Sequence, residues 1–201
     1  MRKYLNRIGI CLLIACLVWM GMLIADRQKL RQELIRLHVV AASDSAEDQA
    51  VKLQVRDAVV GAFQKELQNL QDMDQARAYL QENLPKIEGI ANDVLAQAGF
   101  SDRATVSLCV EEFTTRVYDT FTLPTGLYES LRIVIGEGKG RNWWCVVFPS
   151  LCLPATTDGF EEVACGAGFS DTLTDTLEGE HELRFFFLDA LGSLENFLHR
   201  G

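Results

Sequence analysis

Three histidines, His38, His181 and His199, and six cysteines are the groups from which nucleophilic or metal chemistry could be assembled in this sequence. A Cys-His nucleophile needs an imidazole beside a thiol. His38 lies in an apolar run and the other two histidines lie in an acidic end, so no local signature pairs them with a cysteine. Zinc centres carry Cys-x2-Cys or His-Glu-x-x-His spacing, and the sequence has neither; no metal is expected. The Gly-x-Ser-x-Gly elbow of serine hydrolases does not occur. GEGKG, residues 136–140, has the composition of a phosphate loop but lacks the four-residue spacer before Gly-Lys-Ser/Thr. The next residues, Arg141-Asn142-Trp143, read as a strand and not as a helix that could hold phosphate at its N-terminus. Asp44, Glu47, Asp48 and Asp57 could share protons as an acid/base group. The first three suit the positive end of a helix, however, and Asp57 has Lys52 and the neighbours of Arg56 for local pairing. No catalytic residue, cofactor or small-molecule substrate is therefore expected.

What remains is recognition chemistry. Lys139 and Arg141 are cations in an acidic chain, next to Trp143 and Trp144. Consecutive residues of a strand point to opposite faces, so one Trp can enter the core while the other is presented outward or covered by another element. Trp and Arg are the residue types that dominate protein interfaces. Beside them, Cys145 and Cys152 flank VVFPSL. Extended chain would hold them too far apart for a disulfide, whose Cα atoms lie within about 7 Å, but Pro149-Ser150 can turn the chain back. With Cys109 and Cys165 these make four cysteines outside the apolar start, enough for two disulfides in three pairings.

The charge is unevenly distributed. The 201 residues carry 28 acids and 19 bases, a net charge of -9, which argues against nucleic acid, where Lys and Arg must neutralise phosphates. Residues 1–25 hold Arg2, Lys3 and Arg7 and no acid, whereas residues 155–201 hold ten acids and only Arg184 and Arg200. Between them, residues 26–154 carry -4. Residues 8–25, IGICLLIACLVWMGMLIA, are uncharged. They are long enough for a spanning helix at the short end of the usual range of about 17 to 25 residues. The run is either a signal peptide or an anchor; Ala25 is preceded by Met22, Leu23 and Ile24, and the missing A-x-A pattern favours the anchor. The rest is then expected to be extracytoplasmic, a compartment that permits disulfides.

These groups must be positioned by a folded body. Residues 26–34 read as a polar tether, and residues 35–41 as a short strand. Asp44 and Glu47 form an acidic capping box for a helix carrying the stripe Val51, Val55, Ala58, Val59, Ala62, Phe63, Leu67 and Leu70. A second helical segment starts after Asp72, breaks near Pro85, restarts from a cap at Asn83 and stops at Gly99. Residues 104–110, 131–136 and 142–148 are strands, the last two facing each other across the Gly-rich loop, whose Gly136, Gly138 and Gly140 allow positive φ. The order β-α-α-β-β-β predicts an α+β domain over residues 35–154, with helices on one face of a mostly antiparallel sheet. Residues 155–201 are an acidic extension. Leu183, Phe187, Ala190, Leu191, Leu194 and Leu198 give it a terminal amphipathic helix.

Residues 36–59, RLHVVAASDSAEDQAVKLQVRDAV, and 123–152, LPTGLYESLRIVIGEGKGRNWWCVVFPSLC, closely resemble the two signature blocks of the stage II sporulation protein R family. The resemblance runs from about residue 5 to residue 153 and departs from the family's usual Asn at Ala42 and usual Pro at Ser150. It implies a protein exported from the forespore into the space between two membranes. There it activates a membrane-bound aspartic protease that processes the precursor of sigma factor E in the mother cell, with no catalytic residues of its own. On that reading Lys139, Arg141, Trp143 and Trp144 are contact residues. The block containing Asp44, Asp48, Lys52, Arg56 and Asp57 is scaffold or a second contact surface. Two other classes fit the residues: an extracytoplasmic hydrolase using Cys145 or Cys152, and a wall-glycan module in which the two Trp stack on sugars.

Overall fold

The computed structural model describes residues 2–118, 121–149, 177 and 182–199. Its first element, α1 (Arg2–Glu33), is an unbroken helix of 32 residues, about 48 Å at 1.5 Å per residue. It is long and apolar enough to cross a membrane. The expected tether over 26–34 is helical up to Glu33. The helix persists there because its last turns are packed: Leu30 and the adjoining Leu34 are buried among Phe113, Phe121, Leu123, Tyr128 and Val146.

From α1 the chain enters β1 (Ile35–Val40), which is buried along its whole length. The next element, α2 (Ala46–Gln68), is capped by Ser45, whose hydroxyl accepts the Asp48 N–H at 3.0 Å. The cap therefore falls one residue after the expected Asp44. A hydroxyl serves the exposed amides of a first turn as well as a carboxylate does, and Asp44 is left to contact a distant segment. The third helix, α3 (Met73–Gln97), starts from the cap Asp72 and runs through Pro85 without a break. Asn83 caps nothing; its amide donates to the Tyr79 carbonyl at 2.8 Å within the helix. Packing overrides the proline, since Leu80 on one side and Ile87, Ala91 and Leu95 on the other all face the same core. Gly99, with φ at 81°, ends the helix as expected, and Phe100 N–H closes on the Leu95 carbonyl at 2.9 Å.

The remaining strands are β2 (Ala104–Phe113), β3 (Arg116–Val117), β4 (Thr122–Leu123), β5 (Gly126–Ile135) and β6 (Asn142–Phe148). β3 and β4 pair with each other as a small separate ribbon. The main sheet has the order β2-β5-β1-β6 and is mixed: β1 runs parallel to β5, while β2 with β5 and β1 with β6 are antiparallel. The expected hairpin between β5 and β6 is absent, because β1 lies between them. A wholly buried apolar strand belongs at the centre of a sheet. The Gly-rich loop must then step across two strand spacings, about 10 Å, which a two-residue turn would not reach.

Both faces of this sheet are covered, not one. On the first face Ile35, Leu37 and Val39 of β1, Leu131, Ile133 and Ile135 of β5, and Cys145 and Val147 of β6 pack against α2 and α3. Asn92 of α3 also holds β2 by a pair of hydrogen bonds with the backbone of Ala104, at 3.0 and 3.1 Å. On the second face lie the end of α1, the β3-β4 ribbon and α4 (Glu182–His199). Helix α4 forms where the apolar spacing predicts it. It docks through Leu188, Gly192 and Asn196, leaving Ala190, Leu194 and Leu198 of the expected stripe exposed.

Candidate functional site

The two sequence blocks meet at one end of the sheet. The segment between β1 and α2, residues 41–45, and the loop between β5 and β6 are joined by backbone hydrogen bonds. Gly140 N–H donates to the Ala41 carbonyl at 2.9 Å and Lys139 N–H to the Ala42 carbonyl at 3.2 Å. A Cβ on Gly140 would collide with the Ser43 carbonyl, so this glycine serves close approach; positive φ is found at Gly136 and Gly138 instead. Asp44 accepts the Arg141 N–H at 2.7 Å and lies 3.5 Å from its guanidinium. Lys52, buried under the loop, donates from Nζ to the Arg141 carbonyl at 2.9 Å and to Gln49 at 2.6 Å. Burial, and then the Arg141 charge, push the Lys52 ammonium below its usual range. Ser43 ties the start of α2 in the same way, its hydroxyl donating to Asp48 while its carbonyl accepts from Gln49 at 2.8 Å.

Asp44 and Lys52 hold the loop in place, while Asp48 ties Ser43 to the start of α2. Arg56 lies over the Trp143 ring, 4.2 Å from its centroid, and pairs with Asp57 at 2.6 Å. Lys139 and Arg141 present their side chains to solvent, at 74% and 72% exposure, paired with Glu137 and Asp44 through contacts that exposed ion pairs make weakly. The two Trp face opposite ways, as consecutive strand residues must, but neither stands free. Trp143 packs against the α2-α3 core and Trp144 against the core of the second face. The exposed part of the site is thus the loop with its two cations, while the indoles are packed on the two faces of the sheet.

A buried polar network on the second face was not singled out from the sequence. His38 stacks on Trp144 with centroids 3.6 Å apart, and its Nδ1 lies 3.1 and 3.2 Å from the two oxygens of Glu111. Arg132 completes the group at 3.3 Å from Glu111. Burial raises the Glu111 pKa, but the hydrogen bond and charge of His38, together with Arg132, outweigh it and hold the carboxyl below its ordinary value. Arg36, two residues before His38 and on the same face, is fully buried. It donates to the Tyr118 hydroxyl at 3.0 Å and lies 3.9 Å from the Phe113 centroid, with no carboxylate beside it among the described residues. The period of two in IRLHVV placed both polar side chains opposite Ile35, Leu37 and Val39; their partners on β2 and β5 come from pairing that the sequence leaves open. No thiol or hydroxyl is hydrogen-bonded to His38 among the described residues. The ring is held through Nδ1 and by stacking, while its Nε2 is buried without a hydrogen-bond partner among the described residues.

Cys145 sits in β6 opposite Leu37 and is disulfide-bonded, whereas Cys109 is a free thiol. Cys152 and Cys165 lie outside the described residues. Among the described residues no group of three His, Cys, Asp or Glu side chains is placed to hold a metal. A cleft of about 880 Å³ opens at the other end of the sheet between α1 and the start of α3. Its Arg27, Arg31 and Arg77 are outnumbered by Glu33, Asp72, Asp74, Glu129 and Glu195, and no thiol, hydroxyl or imidazole side chain lines it to act as a nucleophile.

Comparisons with known proteins agree with the sequence blocks. The family model described as stage II sporulation protein R matches residues 31–158. Stage II sporulation protein R of Bacillus subtilis (strain 168) is 35% identical over 127 residues, which is 63% of this chain and 57% of that protein. The match thus covers a little over half the length of the curated relative. No solved structure matches. The matched region contains β1, α2, the Gly-rich loop and β6, the segments that build the site, and the chain belongs to the stage II sporulation protein R family.

Proposed function

We propose that this chain is an exported sporulation signal that activates a membrane-bound aspartic protease, leading to processing of the sigma factor E precursor in the mother cell. The observation that carries this reading is the convergence of the two sequence blocks into one hydrogen-bonded platform that exposes Lys139 and Arg141. Its place in the molecule favours contact with a partner held in another membrane. Helix α1 leads directly into β1 at Ile35, and the platform lies beyond Val40 at the far end of that strand, about 20 Å away at 3.3 Å per residue. With α1 as anchor, the two cations are carried on the membrane-distal tip. The disulfide at Cys145 agrees with an oxidising compartment outside the cytoplasm. The hydrolase reading loses support, since Cys145 is already oxidised and no described thiol adjoins a histidine. The glycan reading needs an open Trp face, and both indoles are packed.

The test is co-expression with the protease and its precursor substrate. Processing is expected to require this chain and to fall at least tenfold with Lys139→Glu/Arg141→Glu, each reversal removing attraction on a partner surface of opposite sign. Unchanged processing by a normally folded, normally exported double variant sinks the assignment of these two residues. Processing that proceeds without the chain sinks the function.

A further inference from the structure

Helix α4 docks on the domain through Leu188, Asp189, Gly192 and Asn196 and turns a second, apolar side outward. Phe186, Leu194, Phe197 and Leu198 are 64%, 54%, 74% and 69% exposed, an unusual concentration of large apolar side chains for one surface helix. The inner side is fixed at the end of the sheet nearest α1. Asp189 accepts the Thr125 N–H at 2.9 Å and the Thr115 hydroxyl. Gly192 lies so close to the Thr125 carbonyl that no Cβ would fit. Asn196 donates to the Phe113 carbonyl at 3.5 Å. Three further contacts set α4 across α1. Arg184 pairs with Asp26, Glu195 pairs with Arg27 and Arg31, and Phe187 packs edge-on against Trp19 with centroids 4.9 Å apart. The charged pairs all fall at residues 26–31, just after the apolar run ends at Ala25, and the aromatic contact falls within the run.

We propose that α4 is a membrane-interface helix. Its outer side inserts at the boundary of headgroups and acyl chains in the same bilayer that α1 crosses, a reading that rests on α1 being a membrane span. The exposed side of α4 is continuous with the exposed apolar surface of α1 through the Trp19–Phe187 contact, and Trp at such a boundary is itself a mark of the interface. Helices of this kind usually carry Lys and Arg on the polar side to attract headgroups. Here the polar side is engaged by the domain and by α1, which holds the helix at that depth instead. Two attachments to one bilayer restrict tilting of the domain about α1 and keep the Lys139 and Arg141 loop directed away from the membrane.

The experiment uses the full chain in vesicles of phosphatidylethanolamine and phosphatidylglycerol. Emission of Phe197→Trp is compared with the parent, and the measurement is repeated with Phe186→Trp, in lipids brominated near the headgroup end of the acyl chains. The added indole is expected to emit to the blue and to lose most of its emission to the brominated lipid at both positions. In the parent, the part of the emission lost to brominated lipid reports on Trp19, because Trp143 and Trp144 lie in the domain on β6, away from α1. If Trp19 is quenched and both added indoles keep their emission, α1 is a span and the α4 proposal is overturned. A blue-shifted but unquenched indole overturns it in favour of a protein covering. If neither Trp19 nor the added indoles respond, the reading of α1 fails and takes the proposal with it. Quenching of the added indoles without Trp19 removes the span and overturns the proposal as stated, since α4 would then meet a membrane that α1 does not cross.

Discussion

At the scale of single residues, the chain holds two buried cations by different means. Lys52 satisfies its ammonium with the Arg141 carbonyl and Gln49, so its buried charge fastens the exposed loop. Arg36 relies on the Tyr118 hydroxyl and the Phe113 face, which suits a guanidinium because it is weakly hydrated and stacks on aromatic rings. The His38-Glu111 pair gives a test with a defined sign. Glu111 titrates below the ordinary carboxylate range in the folded protein. Its stabilising contribution is therefore fully present above the unfolded value, about 4.3, and is lost as pH falls through the lower folded value. Glu111→Gln is expected to cost about 1.5 to 3 kcal/mol at pH 7, the range for a hydrogen bond to a charged group. Thermal unfolding monitored by near-ultraviolet circular dichroism should show the gap between parent and variant closing as pH drops below about 4. A gap that stays constant across that window would mean that the contact stabilises through packing and not through charge.

At the scale of elements, local signals in the sequence located the helices and strands well, and missed where packing decides. The stop at Gly99 and strand β6 rest on residue types within a few positions of each boundary, whereas the cap falls at Ser45, one residue after Asp44, and β5 begins at Gly126, five residues before the expected start. Pro85 shows the limit of that reading, because what carries α3 through it is a core face contributed by residues on both sides and by the sheet beneath. The same limit hid the position of β1. Its apolar run marked it as buried, but no local feature says which strands flank it, and the crossing over β1 by residues 136–141 became visible only with the sheet order. Helix α3 yields its own measurement. Pro85 removes a backbone donor and crowds the preceding turn, so Pro85→Ala should restore an interior hydrogen bond and raise stability by about 1 to 3 kcal/mol. The expected sign is a higher urea midpoint at unchanged slope. A lower midpoint would show that the proline ring itself contributes packing that alanine cannot replace.

At the scale of the whole molecule, the net charge of -9 averages a basic apolar helix, a mildly acidic domain and a strongly acidic end, so it says little about how the domain meets a partner. The candidate site was legible because its residues lie in two compact blocks, while the fact that those blocks form one platform required the fold. The exposed side of α4 was legible as amphipathic, but which side docks was not, because Gly192, Asp189 and Asn196 reveal their fit only against Thr125, Thr115 and Phe113. The remaining long-range constraint is the disulfide at Cys145. The family match over residues 31–158 contains Cys145 and Cys152 but stops short of Cys165, which favours pairing with Cys152. A bridge closing so short a segment is worth about 2 to 3 kcal/mol by the chain-entropy account. Alkylation of the full chain purified without reductant should then label Cys109, slowly because burial raises its thiol pKa, and spare Cys145. In Cys152→Ser, Cys145 should become alkylatable once the protein is unfolded, and the melting temperature should drop; in Cys165→Ser neither should change. The reverse pattern would move the bridge to Cys165, so that the acidic end, rather than the short turn after β6, would be tied to the central sheet.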